Sequence, residues 1–222
     1  MKTLTLLAIM SNAFAYDYSK DNRIFISSSG PSSLRETISS EPKVFVKHPR
    51  VYLQHLEAND ELRIVANEVL EAPSIEEKIA KTYIYMQNEN PYVSDPEGID
   101  LIRKPIDTYF HGGDCEDLAL LALEFFRELN LNSYFVLAPR HAFTLVGPVD
   151  EARLRNFLPR NYSYNFMGYY FDDGFYVYFD PAVRNGYPGY VDLSYLGSAV
   201  IADVNTQEIV NTIGKKLEIK NN

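Results

Sequence analysis

The sequence predicts an α+β fold in which one buried helix packs on an antiparallel sheet. Three observations carry this. The run Leu118-Ala119-Leu120-Leu121-Ala122-Leu123-Glu124-Phe125-Phe126-Arg127-Glu128-Leu129 is apolar all round at helical length, so it belongs in a core rather than on a surface. Short β-prone runs follow it at Ser133 to Ala138, His141 to Val146, Tyr169 to Phe171 and Phe175 to Asp180, and Asp172-Asp173-Gly174 joins the last two as a hairpin turn. With 222 residues and 46% hydrophobic content, the chain has enough apolar material for a proper core.

Taken in order, residues 1–15 read as a signal peptide: Met1-Lys2-Thr3 is positive, Leu4 to Met10 is apolar, and Ala13-Phe14-Ala15 is a small-residue cleavage site. An N-terminal strand is the competing reading of that apolar run. Residues 16–73 form an N-terminal extension. It opens on a Ser-rich loop (Ser27-Ser28-Ser29-Gly30-Pro31-Ser32-Ser33) and continues with strand-like pieces at Lys43 to Lys47 and Val51 to Leu53. Leu62, Val65, Ala66, Val69 and Leu70 then recur at helical spacing, with Asp60 as cap and Pro73 as stop. Residues 74–205 make up the core domain. Ser74 and Glu77 form a capping box, and Ile75, Ile79 and Met86 share one face of the helix that follows, which ends at Asn90-Pro91. Tyr92 to Tyr109 reads as a mixed loop, Pro148 to Gly168 as an insertion, Gly197 to Val204 as a final strand, and 206–222 as a C-terminal tail.

The lone cysteine sits in His111-Gly112-Gly113-Asp114-Cys115-Glu116-Asp117, directly before the apolar run. The glycines break the chain there, Asp114 is a good N-cap, and Asp117 falls at the third helical position. Cys115 would then be the first helical residue, where unpaired N–H groups and the helix dipole favour a thiolate. Glu116 and Asp117 oppose it, and a buried structural cysteine is the competing reading. If the chain is exported, a single cysteine has no internal disulfide partner. A free thiol with a chemical task then fits better than an inter-chain bridge, because this one abuts a core helix.

A nucleophilic cysteine needs a base within reach and a group that orients the base. His141 opens a β-prone run far enough past Cys115 for the helix, a turn and one strand. Asp180 ends the run Tyr176-Val177-Tyr178-Phe179 and precedes Pro181, which stops the ladder. From there it can accept from an imidazole on a neighbouring strand. His111 is a second candidate base, but it lies on the glycine side with no orienting acid nearby. The amide N–H of Cys115 is the first oxyanion donor to expect, with Gln87, Asn88 and Asn90 as candidates for a second.

Gly113-Asp114-Cys115-Glu116-Asp117-Leu118-Ala119, His141-Ala142-Phe143 and Phe179-Asp180-Pro181 together resemble the transglutaminase-like cysteine-protease superfamily, from about Ser74 to Asp203. The resemblance implies a papain-like α+β core with Cys115 as nucleophile, His141 as base and Asp180 as orienting acid. Two departures stand out. The chain has no Trp, so the indole oxyanion donor of tissue-type transglutaminases is absent, and the stretch from His141 to Asp180 is longer than the family's usual hairpin.

These readings combine into a cysteine-dependent amide hydrolase, a peptidase working through a thioester on a protein or peptide substrate. A glutamine transglutaminase or other acyltransferase, and a non-catalytic peptide- or glycan-binding module, are the alternatives. A net charge of −9 argues against nucleic-acid binding, which needs a basic face. No stretch approaches the length of a membrane span. The expected location is secreted or periplasmic. Some periplasmic members of the superfamily bind calcium beside the cysteine. Here Asp95, Glu97, Asp100, Asp114, Glu116 and Asp117 lack the alternating spacing of a dedicated loop and read as solvated acids, so neither metal nor cofactor is expected. The tyrosines between Tyr162 and Tyr178 suit either a substrate groove or packing.

Overall fold

The computed structural model describes residues 8–10, 44–97, 101–158, 165–192, 195, 199–213 and 217–220. Strands β1 (Ala8–Met10) and β2 (Val44–Lys47) precede helices α1 (Arg50–Leu53), α2 (Asp60–Val65, running on as a π-turn over Ala66–Leu70), α3 (Ile75–Glu89), α4 (Pro105–His111) and α5 (Cys115–Glu128). Then come β3 (Asn132–Ala138), β4 (His141–Gly147), α6 (Glu151–Asn156), β5 (Asn165–Phe171), β6 (Gly174–Phe179), β7 (Ala199–Asp203), β8 (Ile209–Ile213) and β9 (Leu217–Lys220). The architecture is α+β. Seven strands form one antiparallel sheet in the order β1-β5-β6-β4-β3-β7-β8, and β2 pairs with β9 in parallel.

Helix α5 is the centre of the molecule. Every residue from Asp117 to Phe126 is buried, as its all-round apolar composition requires. One flank, with Leu118, Leu121, Ala122, Phe125 and Phe126, packs on Val146, Val177 and Phe179 and on the α2–α3 side chains Leu62, Ile79 and Tyr83. The other flank, with Ala119, Leu120 and Leu123, meets Phe135, Leu137, Ala142 and Val200. On the far face of the sheet Val136, Phe143, Leu145, Tyr169, Tyr176, Tyr178 and Ile201 form a second apolar cluster. Both faces of β4 are therefore covered, which is why the strand is apolar at nearly every position and not at alternate ones. In the aromatic-rich β5–β6 hairpin Tyr169, Tyr176 and Tyr178 are packed in the core, Tyr170 lines a surface cavity beside Pro148 and Arg155, and Tyr162 and Tyr164 lie outside the described residues.

Local signals explain most boundaries. The Ser74 hydroxyl accepts from the Glu77 N–H at 3.2 Å, the expected start of α3. The Asp172-Asp173-Gly174 turn joins β5 to β6 with Phe171 opposite Gly174. Asn59, not Asp60, caps α2, its side chain accepting from Glu61 and Leu62 N–H. Three expectations need correction. Val51 to Leu53 lies in a helix started by the turn at Pro49, not in a strand. The stretch read as loop between Tyr92 and Tyr109 contains most of α4, which has Pro105 at its first position, where the missing N–H costs nothing. The segment read as a C-terminal tail carries β8, paired with β7, and β9, paired with β2. The stretch read as an insertion holds α6, and its residues 159–164 lie outside the described residues. So does most of the stretch expected to be a signal peptide; within it Ala8–Met10 pairs with β5 as the edge strand β1.

Candidate active site

The segment that delivers Cys115 is shaped by its two glycines. Gly112 has φ +72°, a conformation side chains rarely adopt, and a Cβ there would lie 2.3 Å from the Pro91 carbonyl oxygen. Gly113 N–H donates to that same oxygen at 3.3 Å, and Val93 N–H donates to Gly113 O at 2.8 Å. A Cβ on Gly113 would meet Asp117 Cβ at 2.4 Å. Asp117 is fully buried beneath it and accepts from the Arg103 backbone N–H at 2.7 Å and from the Arg103 guanidinium. Arg103 also reaches Asp95 Oδ1 at 3.1 Å. This corrects the expectation of Asp114 as a good N-cap: it occupies the N-cap position, but its side chain takes no cap hydrogen bond, and Asp117 is committed to Arg103. The first-turn N–H groups of α5 are thus not covered by a side chain of their own cap.

His141 opens β4, and Asp180 follows the last residue of β6. Those strands pair with Thr144 opposite Phe179, so the continued register sets Asp180 diagonally beside His141. The Thr144 hydroxyl donates to Phe179 O at 3.1 Å and ties the strands together one residue before the acid. His141 Nε2 lies 2.6 Å from Asp180 Oδ2, and both side chains are buried. The second carboxylate oxygen, Oδ1, accepts from Ala182 N–H at 3.2 Å. Helix α3 holds the backbone of this turn: the Tyr83 hydroxyl donates to Asp180 O at 3.1 Å and the Gln87 amide to Pro181 O at 2.7 Å. Tyr195 stacks on the imidazole with ring centroids 4.2 Å apart.

Cys115 is half-buried at the start of α5, as predicted. Its S–H donates to Glu116 Oε2 at 3.1 Å, and the backbone N–H of Ala142, the residue after His141, faces the sulfur. The easier thiol ionisation expected at a helix start is not found. Burial pushes the thiol well above its ordinary value, and the charge of Glu116 and its hydrogen bond push it further. Asp114 is likewise raised to about 8, first by burial, then by the Glu116 charge. At neutral pH it keeps its proton, beside Glu116.

The structure therefore joins His141 to Asp180 and sets Cys115 against the residue next to His141. His111 stands apart, exposed at the end of α4. Of the three amides considered as oxyanion donors, Gln87 is committed to Pro181 O, Asn90 donates to Tyr109 O at 3.1 Å, and Asn88 is exposed. The acids near the site disperse: Asp95 and Asp117 hold Arg103, Glu97 is exposed, and Asp100 lies outside the described residues. Asp114, Cys115 and Glu116 keep ligand-type atoms within 4.8 Å of one another; the thiol is bonded to Glu116, and Asp114 Oδ1 is buried with no hydrogen-bond partner among the described residues. Sequence reasoning missed Tyr83, Arg103 and Tyr195, whose roles depend on contacts made across the fold and carry no local signal.

No family model matches the chain, and no curated protein matches it. One solved structure is similar, a candidate cysteine protease from Cytophaga hutchinsonii, at 16% identity and a TM-score of 0.39 over 83% of this chain. The chain spans about half of that protein, 54% of its length. A likeness of that degree carries no functional inference.

Proposed function

We propose that the protein is a cysteine-dependent amide hydrolase with a papain- or transglutaminase-like core, in which Cys115 is the nucleophile, His141 the base and Asp180 the orienting acid. The observation that carries this reading is the buried His141–Asp180 pair, whose histidine directly precedes the residue whose backbone N–H faces the only thiol. A carboxylate only accepts, so its bond to Nε2 puts a proton there and leaves Nδ1 as the basic atom. In the reaction Nδ1 takes the S–H proton as Sγ bonds to the amide carbonyl carbon. The open N–H of Cys115 at the helix start receives the oxyanion. As the C–N bond breaks, Nδ1–H protonates the leaving amine and a thioester remains. Water, deprotonated by the same imidazole, then attacks the thioester carbon; the C–S bond breaks and the thiol recovers its proton. An amine in place of water would make the same enzyme a transglutaminase.

A leader ending at Ala15 and export to a secreted or periplasmic location are part of the proposal. No helix among the described residues is long and apolar enough to cross a membrane. The neutral, Glu116-bound thiol favours one alternative, a peptide- or glycan-binding module on the same fold. Variants separate the two. In an assay of amide cleavage on a peptide library, Cys115→Ala should abolish turnover and His141→Ala should be nearly as severe. Asp180→Ala should leave measurable activity, and His111→Ala should change little. Binding without turnover, unchanged in Cys115→Ala, would favour the module; a larger loss in His111→Ala than in His141→Ala would overturn the assignment of the base.

A further inference from the structure

Glu116 is the second residue of α5, adjacent to Cys115, and consecutive side chains on a helix point away from each other. Its carboxylate nevertheless reaches Cys115 Sγ, with Oε2 at 3.1 Å. To do so it must lie over the first turn, where the helix dipole and the open N–H groups favour negative charge. A thiolate on Cys115 would need that same position. We infer that Glu116 is a restraining residue that holds Cys115 as a neutral thiol in the resting protein, so that the thiol reacts only once the carboxylate is displaced. The inference rests on the proposed catalytic role of Cys115.

The groups facing the sulfur from the packed elements fit this. Glu116 at the start of α5 sets a negative charge against the sulfur, while Asp114, raised to about 8, and Tyr92 and Tyr195 are neutral at pH 7. His141 is turned to Asp180, and Arg140 acts on Tyr195. Among these, Glu116 alone contacts the thiol directly through a side chain.

Because Cys115 is the only cysteine, alkylation of the folded full-length protein by iodoacetamide reads this thiol and no other. The rate should be followed from pH 5 to pH 10 for wild type, Glu116→Gln and Asp114→Asn. In the wild type the rate should rise only above the range of free cysteine. Glu116→Gln should react about tenfold faster or more at pH 7, since one adjacent charge moves such a group by a unit or more. Asp114→Asn should move it less. A wild-type thiol already reactive below pH 7, or an unchanged rate in a folded Glu116→Gln, would overturn the inference. If Glu116→Gln fails to fold, the wild-type profile still decides. The readout needs no turnover. Faster alkylation in Glu116→Gln without any amide cleavage would sink the enzyme reading and keep the restraint. Cleavage dependent on Cys115 and His141, with alkylation unmoved by Glu116→Gln, would sink the restraint alone.

Discussion

Replacing Asp117 by Ala should destabilise the protein severely without touching a reacting atom. The side chain is fully buried and accepts two bonds from Arg103, one from its backbone N–H at 2.7 Å and one from its guanidinium. Removing the carboxylate leaves a backbone donor and a cation that is four-fifths buried without their partner. Breaking a buried pair from one side costs about 3–5 kcal/mol. Arg103 keeps Asp95 at 3.1 Å, which argues for the lower end, about 3 kcal/mol. Urea unfolding would register this as a midpoint lower by about 1 M at a typical slope. Asp117→Asn, which keeps an acceptor for the N–H, should cost less. Arg103→Ala combined with Asp117→Ala should be less destabilising than the sum of the two. A loss under about 1 kcal/mol for Asp117→Ala, or strict additivity with Arg103→Ala, would refute the claim that this acid is structural.

Further outcomes follow from other sites. Gly112→Ala should destabilise by more than about 1 kcal/mol in thermal unfolding, because φ +72° and the Pro91 oxygen both oppose a Cβ. Glu124, buried in α5 beside Arg127, is raised to about 7, chiefly by burial. A raised carboxyl contributes stability below its ordinary range and loses it as pH climbs through about 7. Glu124 is also ion-paired with Arg127, so the test is the pH dependence: relative to wild type, Glu124→Gln should gain stability between pH 4 and pH 8, and a variant whose difference from wild type is the same at both would contradict this. Expressed with residue 1 intact in a secreting host, the chain should leave the cytoplasm beginning at Tyr16; an uncut cytosolic product by intact mass would remove the leader from the account.

The helix carrying Cys115 was legible in the sequence because being apolar on every side leaves a segment nowhere but the core, and the β5–β6 hairpin because Asp172-Asp173-Gly174 is a local turn signal. The positions of His141 and Asp180 at strand ends were legible for the same local reason; their 2.6 Å contact depends on the β4–β6 register, which no single segment encodes. Local propensity failed where long-range contacts decide. Val51 to Leu53 is β-prone yet helical, with Leu53 buried against α5 side chains. Asp117 has the spacing of a capping residue, but Arg103 claims it from a loop 14 residues upstream. The thiol's environment was misjudged because the helix-start argument set the dipole against its acidic neighbours without geometry to show that Glu116 folds back onto the sulfur.

The most direct test of the central claim is to look for the covalent intermediate itself. A peptide ester or activated amide should be mixed with the purified protein, quenched in acid, and digested for mass spectrometry. The account predicts a substoichiometric acyl adduct located on Cys115, which decays in step with product release in the wild type and is absent in Cys115→Ala. Sustained turnover by Cys115→Ala, or an adduct on another side chain, would contradict it.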